Sequence, residues 1–252
     1  MRWMILILLA VGICGCGGTP TAKSGNGGGG EEGSAATSND GIKTYAIADL
    51  PEMDDRPMPV KDEGRVQFAL PAGWKPLKPN PKFLIACIPE DSSASKLPRI
   101  TIAASEPTVE EKSSTTSSNA QDLANKLQAQ MEANKKRPIE SCRPINLGPT
   151  TWVRHVRKVT TADGTPAAVQ CLQTIKSGRL ITVELTVNAK DNPRSSQKPI
   201  FYEKELQAHR DFAYAVAANM KFPKDGSSPP ATEEKLAEEK PAEEKPAAEK
   251  SE

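Results

Sequence analysis

The stretch from 151 to 187 constrains the fold of this chain more than any other. It holds three apolar-rich runs, 151–160, 167–175 and 179–187, separated by Ala162-Asp163-Gly164 and by Ser177-Gly178. In the third run Ile181, Val183, Leu185 and Val187 alternate with Thr182, Glu184 and Thr186. Successive side chains of a strand point to opposite faces, so this period of two makes one apolar and one polar face. Asp-Gly and Ser-Gly supply the positive φ that a tight hairpin turn needs. The spacing therefore predicts three antiparallel strands in a meander. A sheet with one apolar face must be covered by another layer.

The covering layer is legible as two helices. Ala120, Leu123, Ala124, Leu127 and Met131 recur at helical spacing and form one apolar stripe. Ser118 with Gln121 three residues later has the form of a capping box, and the helix should end near Asn134, before Pro138. A second helix is predicted over about 199–219, with Pro199 near its first position and Leu206, His209, Phe212, Ala213, Val216 and Met220 on one face. Further strands precede the first helix. Residues 65–70 alternate with Val66, Phe68 and Leu70 on one side; Pro71-Ala72-Gly73 turns the chain into a short extended piece at Trp74. Residues 83–88 are apolar throughout, as a central strand would be, and 99–103 alternate about Ile100 and Ile102. Hairpins dominate and no βαβ repeat is present. The expected class is α+β, an antiparallel sheet flanked by two main helices.

Composition sets the limits of this domain. Residues 16–60 are rich in Gly, Ser, Thr, Pro and Asp, with four glycines running from Gly27 to Gly30. Such a segment buries too little apolar surface to offset its ordering entropy. It reads as a flexible tether, within which Ile42 to Ile47 is the one patch suited to an added strand. Residues 223–252 carry a five-residue Glu-Glu-Lys-Pro-Ala repeat interrupted by Pro241 and Pro246. That period suits neither helix nor strand, so this end reads as a disordered acidic tail. The folded domain is placed at 61–222. The formal net charge of +1 gives no reason to expect a nucleic-acid partner.

The N-terminus has its own layout. Arg2 precedes an apolar run over 4–13, which is shorter than the ~20 residues a bilayer-spanning helix needs. A charged start, an apolar core and small residues mark a secretory signal. The run ends Ile13-Cys14-Gly15-Cys16, which resembles the lipobox of bacterial lipoproteins. An aliphatic residue stands three places before Cys16 and a small one just before it. The resemblance implies cleavage after Gly15, lipidation of Cys16, and two or three acyl chains holding the protein on a membrane. With Gly17 following Cys16, it also implies the outer membrane, facing the periplasm.

A second resemblance covers the domain. The opening Phe68-Ala69-Leu70-Pro71-Ala72-Gly73-Trp74 and the closing Phe212 and Met220-Lys221-Phe222, with the order of elements between them, resemble the Mog1/PsbP-like fold. The resemblance implies a binding or assembly role more often than enzymology.

No motif points to catalysis. Gly-x-Ser-x-Gly, a P-loop and Cys-x-x-Cys are absent, and neither His155 nor His209 has a partner at metal-ligand spacing. No catalytic residue, metal or cofactor is expected. Beyond Cys16 the exported chain keeps Cys87, Cys142 and Cys171, an odd number for which a disulfide remains open. Cys142, beside Arg143 and near Lys135 and Lys136, is the one thiol placed to have a lowered pKa. Lys135, Lys136, Arg137, Arg143, Arg154, Arg157 and Lys158 cluster in sequence, and form a candidate surface for an anionic lipid or glycan. The expected function is that of a membrane-anchored envelope lipoprotein whose domain binds or helps to assemble another envelope component. The alternative is a lipoprotein that binds a small molecule or lipid.

Overall fold

The computed structural model describes residues 36–37, 41–107, 114–136, 138–194 and 200–223. The expected signal sequence, Cys16, Arg137, Pro199 and the repeat tail lie outside the described residues.

The meander forms as its pattern dictates. Strands β7 (Thr150–Thr160), β8 (Pro166–Lys176) and β9 (Arg179–Asn188) pair antiparallel in sequence order. Ser177 and Gly178 both take positive φ, 49° and 71°, so the β8–β9 turn has the geometry that matches strand twist. These strands are the centre of a nine-stranded sheet. Its other members are β1 (Ala36–Thr37), β2 (Lys43–Tyr45), β3 (Trp74–Pro76), β4 (Ile85–Pro89), β5 (Arg99–Ser105) and β6 (Glu140–Leu147), in the order β1-β2-β6-β7-β8-β9-β5-β4-β3. The short β10 (Lys190–Asp191) and β11 (Ile200–Phe201) pair separately.

Every pair in the main sheet is antiparallel except β2 with β6, so the sheet is mixed rather than wholly antiparallel. The parallel pair arises because residues 41–60 do not behave as tether. Ile42 and Tyr45 are buried, and the Tyr45 ring lies 4.8 Å from that of Tyr214. The ordered domain therefore includes these residues, although their composition is polar and proline-rich.

The two helices cover opposite faces. Helix α2 (Glu203–Ala218) packs on the face carrying Trp152, Val156, Ala168, Leu172, Ile181, Val183 and Leu185. Helix α1 (Ala120–Ala133) packs through Leu123, Ala124 and Leu127 against Val153, Ile175 and Leu180, the neighbours that point the other way. Its stripe matches the periodicity, but Met131 is only partly buried. No capping box forms. The helix starts after Asn119, the Gln121 amide donates to Asn125, and Ser118 pairs with Thr116. Helix α2 begins later than expected, because Ile200 and Phe201 are drawn into β11 and Tyr202 stands at the N-cap position. His209 is partly exposed rather than part of the buried face.

Two strand expectations change. Residues 65–70 form no strand; isolated bridges join Lys61 to Val66 and Gln67 to Lys221. Val66, Phe68 and Leu70 are nevertheless all buried, as their alternation requires. The facing segment carries Pro57 and Pro59, which cannot donate to a continuous ladder. Residues 83–88 supply β4, which lies one strand from the sheet edge rather than at its centre.

Candidate functional site

Strand β6 determines where polar chemistry can collect, and it is the strand that polarity hides. Its sequence, Glu-Ser-Cys-Arg-Pro-Ile-Asn-Leu, reads as a connection. It is a strand because β7 pairs with it along most of its length, with a bulge between Glu140 and Arg143. Pro144 is tolerated because β2 covers only Ile145–Leu147, which leaves β6 an edge at the proline.

On β7 the alternation separates neighbours in sequence. Arg154 points to the α2 face, whereas His155 and Arg157 point to the α1 face. The basic residues proposed for one surface are thus divided between two. Arg154 is 4% exposed, and its Nη1 and Nε donate to Glu140 Oε2 at 2.6 Å and Gln170 Oε1 at 2.9 Å. Arg157 donates to Glu184 at 2.9 Å and Lys158 to Asp191 at 2.7 Å. Arg143 lies 3.7 Å from Glu140. Lys135 is exposed at the end of α1, and Lys136 borders a cavity on the α1 face.

That cavity, of about 250 Å³, brings His155, Cys171 and Glu184 together. The register places His155 on β7 opposite Cys171 on β8, and Cys171 opposite Glu184 on β9. Leu127 and Met131 of α1 form the far wall. Period-two reading of each run, combined with the hairpin registers, contains the signal for this row; motif searches along the chain miss it because the residues lie on three strands.

The row is chemically quiet. The Cys171 thiol donates to Glu184 Oε1 at 3.4 Å, and burial together with that carboxylate pushes its pKa up. Burial, reinforced by the adjacent Arg157 charge, pushes His155 down to about 4, so the imidazole is neutral at pH 7. A thiolate paired with an imidazolium, the state a Cys/His nucleophile needs, is disfavoured on both sides. His155 Nδ1 is buried without a hydrogen-bond partner. Among the described residues no His, Cys, Asp and Glu side chains group to hold a metal ion.

Cys87 and Cys142 are free as well. Cys87 is buried and pushed up to about 12, and burial against α1 takes Cys142 up to about 11. The cations beside Cys142 in sequence do not lower its pKa, because its strand turns the thiol toward Leu123 and Leu127 rather than toward them.

On the α2 face the polar groups form a network around Glu140. Its carboxylate accepts from Arg154 and, through Oε1, from the Tyr202 hydroxyl at 2.9 Å. Burial alone would raise its pKa, but the hydrogen bond and charge of Arg154 outweigh this and hold it below the ordinary value. A cavity of about 330 Å³ opens over Arg154, between Arg143, Tyr45 and Tyr214.

No family model and no curated protein sequence matches this chain. Solved structures similar to it include a protein of Bacteroides thetaiotaomicron, at 12% identity and a TM-score of 0.40. The alignment covers 68% of this chain and 49% of that one, so this chain spans about half its length. They also include cyanobacterial PsbP of Synechocystis sp. PCC 6803, at 13% identity over 66% of this chain and 91% of that one, TM-score 0.38. The Saccharomyces cerevisiae Ran-binding protein Mog1p aligns at 11% identity over 68% and 96%, TM-score 0.37. These neighbours are Mog1/PsbP-like folds. The α+β class of this chain rests on its own strand order and helices.

Proposed function

We propose that this chain is a bacterial envelope lipoprotein, anchored through acyl chains on Cys16, whose α+β domain binds or helps to assemble another envelope component and is not an enzyme. The finer fold assignment, Mog1/PsbP-like, belongs to the same proposal. The observation that carries it is Ile13-Cys14-Gly15-Cys16 closing a short apolar run, followed by a Gly-rich segment that leads to the domain. The domain supports a binding role. In its row of His155, Cys171 and Glu184 the thiol and the imidazole are buried and both held neutral. The placement in the outer membrane rests on Gly17 alone.

Metabolic labelling with palmitate tests the anchor. The wild-type chain incorporates label and Cys16→Ala does not; equal labelling of the two overturns the reading. Crosslinking in intact cells, with and without residues 224–252, then identifies the partner and the segment that docks it.

The second reading, a lipoprotein that holds a small ligand, is favoured by the cavity over Arg154. A buried cation beside an open space is a recognised way to fix the orientation of a ligand in a largely apolar pocket.

A further inference from the structure

The cavity over Arg154 brings together a buried cation, a second arginine and aromatic walls. Its floor is a guanidinium that is 4% exposed, held by hydrogen bonds through Nε and Nη1. Nη2 has no acceptor among the described residues. Glu140, the single carboxylate in contact with this arginine, is shared. It also lies 3.7 Å from Arg143 and accepts the Tyr202 hydroxyl. Two arginines therefore divide one negative charge, and both line the cavity while Glu140 does not. A buried positive charge that is only partly compensated favours an added anion, because the interior screens it weakly. Part of the wall is suited to carbon. Ile42, Ile145 and the tilted rings of Tyr45 and Tyr214 supply that carbon, while Lys43 and Gln121 add polar groups at the lining.

We infer that this cavity binds the oxyanion group of a small organic molecule, a phosphate ester or a carboxylate, with Arg154 receiving the anion at the floor, Arg143 closing over it, and the two tyrosine rings holding the apolar part. The inference deepens the ligand-binding reading and does not depend on lipidation of Cys16. A guanidinium fork presents paired donors that match both oxyanions, whereas an ammonium would act as a point charge. At about 330 Å³ the space lies at the small end of ligand sites, enough for a single ring or a short chain with its anionic group.

The site has two sources of ligand to separate, a soluble metabolite and a phospholipid headgroup. The test is calorimetric titration of the full detergent-solubilised chain with phenyl phosphate and with benzoate, followed by competition with phosphatidylglycerol vesicles. At least one probe should bind saturably and lose affinity as salt rises. Arg143→Ala should weaken it about tenfold, the loss expected for one charged hydrogen bond. Arg154→Lys should weaken it further while retaining the buried charge. Lys158→Ala, a basic change outside the cavity, should leave binding as it is. Displacement of the probe by vesicles assigns the oxyanion to a lipid; a probe that vesicles do not displace assigns it to a soluble molecule. Either outcome supports the site. Absence of saturable binding by both probes, or binding that Arg143→Ala leaves unchanged, overturns it. Arg154→Lys is read only if its thermal melt stays cooperative, and Arg143→Ala, at a largely exposed side chain, keeps the test decisive if it does not. Failure here leaves palmitate labelling at Cys16 untouched, so it is distinguishable from failure of the anchor.

Discussion

His155 shows how a single buried side chain can set the acid limit of the fold. It is 3% exposed, its Nδ1 has no partner, and burial pushes it down to about 4. In the unfolded chain its pKa is about 6.5. Above that value both states are neutral, and the residue contributes nothing to pH dependence. Below it the unfolded chain takes up a proton that the folded chain refuses. Stability should then fall by up to about 1.4 kcal/mol per pH unit from this residue, until the folded pKa is reached. Glu140 acts lower on the scale and in the same sense, since its pKa is also lowered in the fold. Its depressed pKa contributes stability that is present above the ordinary carboxylate value, and that is lost as pH falls through the folded value. Urea melts at pH 7 and pH 5 check the histidine. His155→Gln should lose less stability between the two than the wild-type chain does. Equal losses would show that some other group sets the slope. The charged groups facing His155 are Arg157, Glu184 and Lys136.

At the scale of elements, the decisive feature is the N-terminal edge. Strand β2 adds a parallel member to a sheet that is otherwise antiparallel, and Tyr45 seals α2 through Tyr214. Burying side chains of this size contributes roughly 1.5–3 kcal/mol each. A chain starting at residue 36 should therefore melt cooperatively, like the full chain. One starting at residue 61 should melt several degrees lower, and Tyr45→Ala should account for part of the drop. Identical melting of the two truncations would return residues 41–60 to the tether. This edge also explains what the sequence could and could not show. The β7–β8–β9 meander and the α1 stripe were legible because their periods agree with their structures. Strand β6 was not, because Arg143, Pro144 and Asn146 interrupt its apolar pattern and its pairing depends on segments far away in the chain. The same limit applied to the candidate surface. Alternation along β7 sends Arg154 and Arg157 to opposite faces, which spacing within the run predicts, but only the position of the helices says what each then meets.

At the scale of the whole molecule, the account joins a described domain to a proposed anchor. No helix among the described residues is long and apolar enough to cross a membrane. Attachment in this account comes from acyl chains on Cys16, two or three of which hold a protein on a bilayer far more firmly than one. Cys16→Ala should therefore move the protein from the membrane fraction to the soluble one while leaving its thermal melt unchanged, since Cys16 lies outside the domain. Of the basic residues the sequence grouped, Arg143 and Arg154 line one small cavity and Lys136 and Arg157 another. The most direct test of this account is mass spectrometry of the N-terminal peptide of the mature protein purified from membranes. The account predicts a peptide that begins at Cys16 and carries the added mass of a diacylglyceryl group. A peptide that retains Met1, or one that begins elsewhere with Cys16 absent or unmodified, would contradict it.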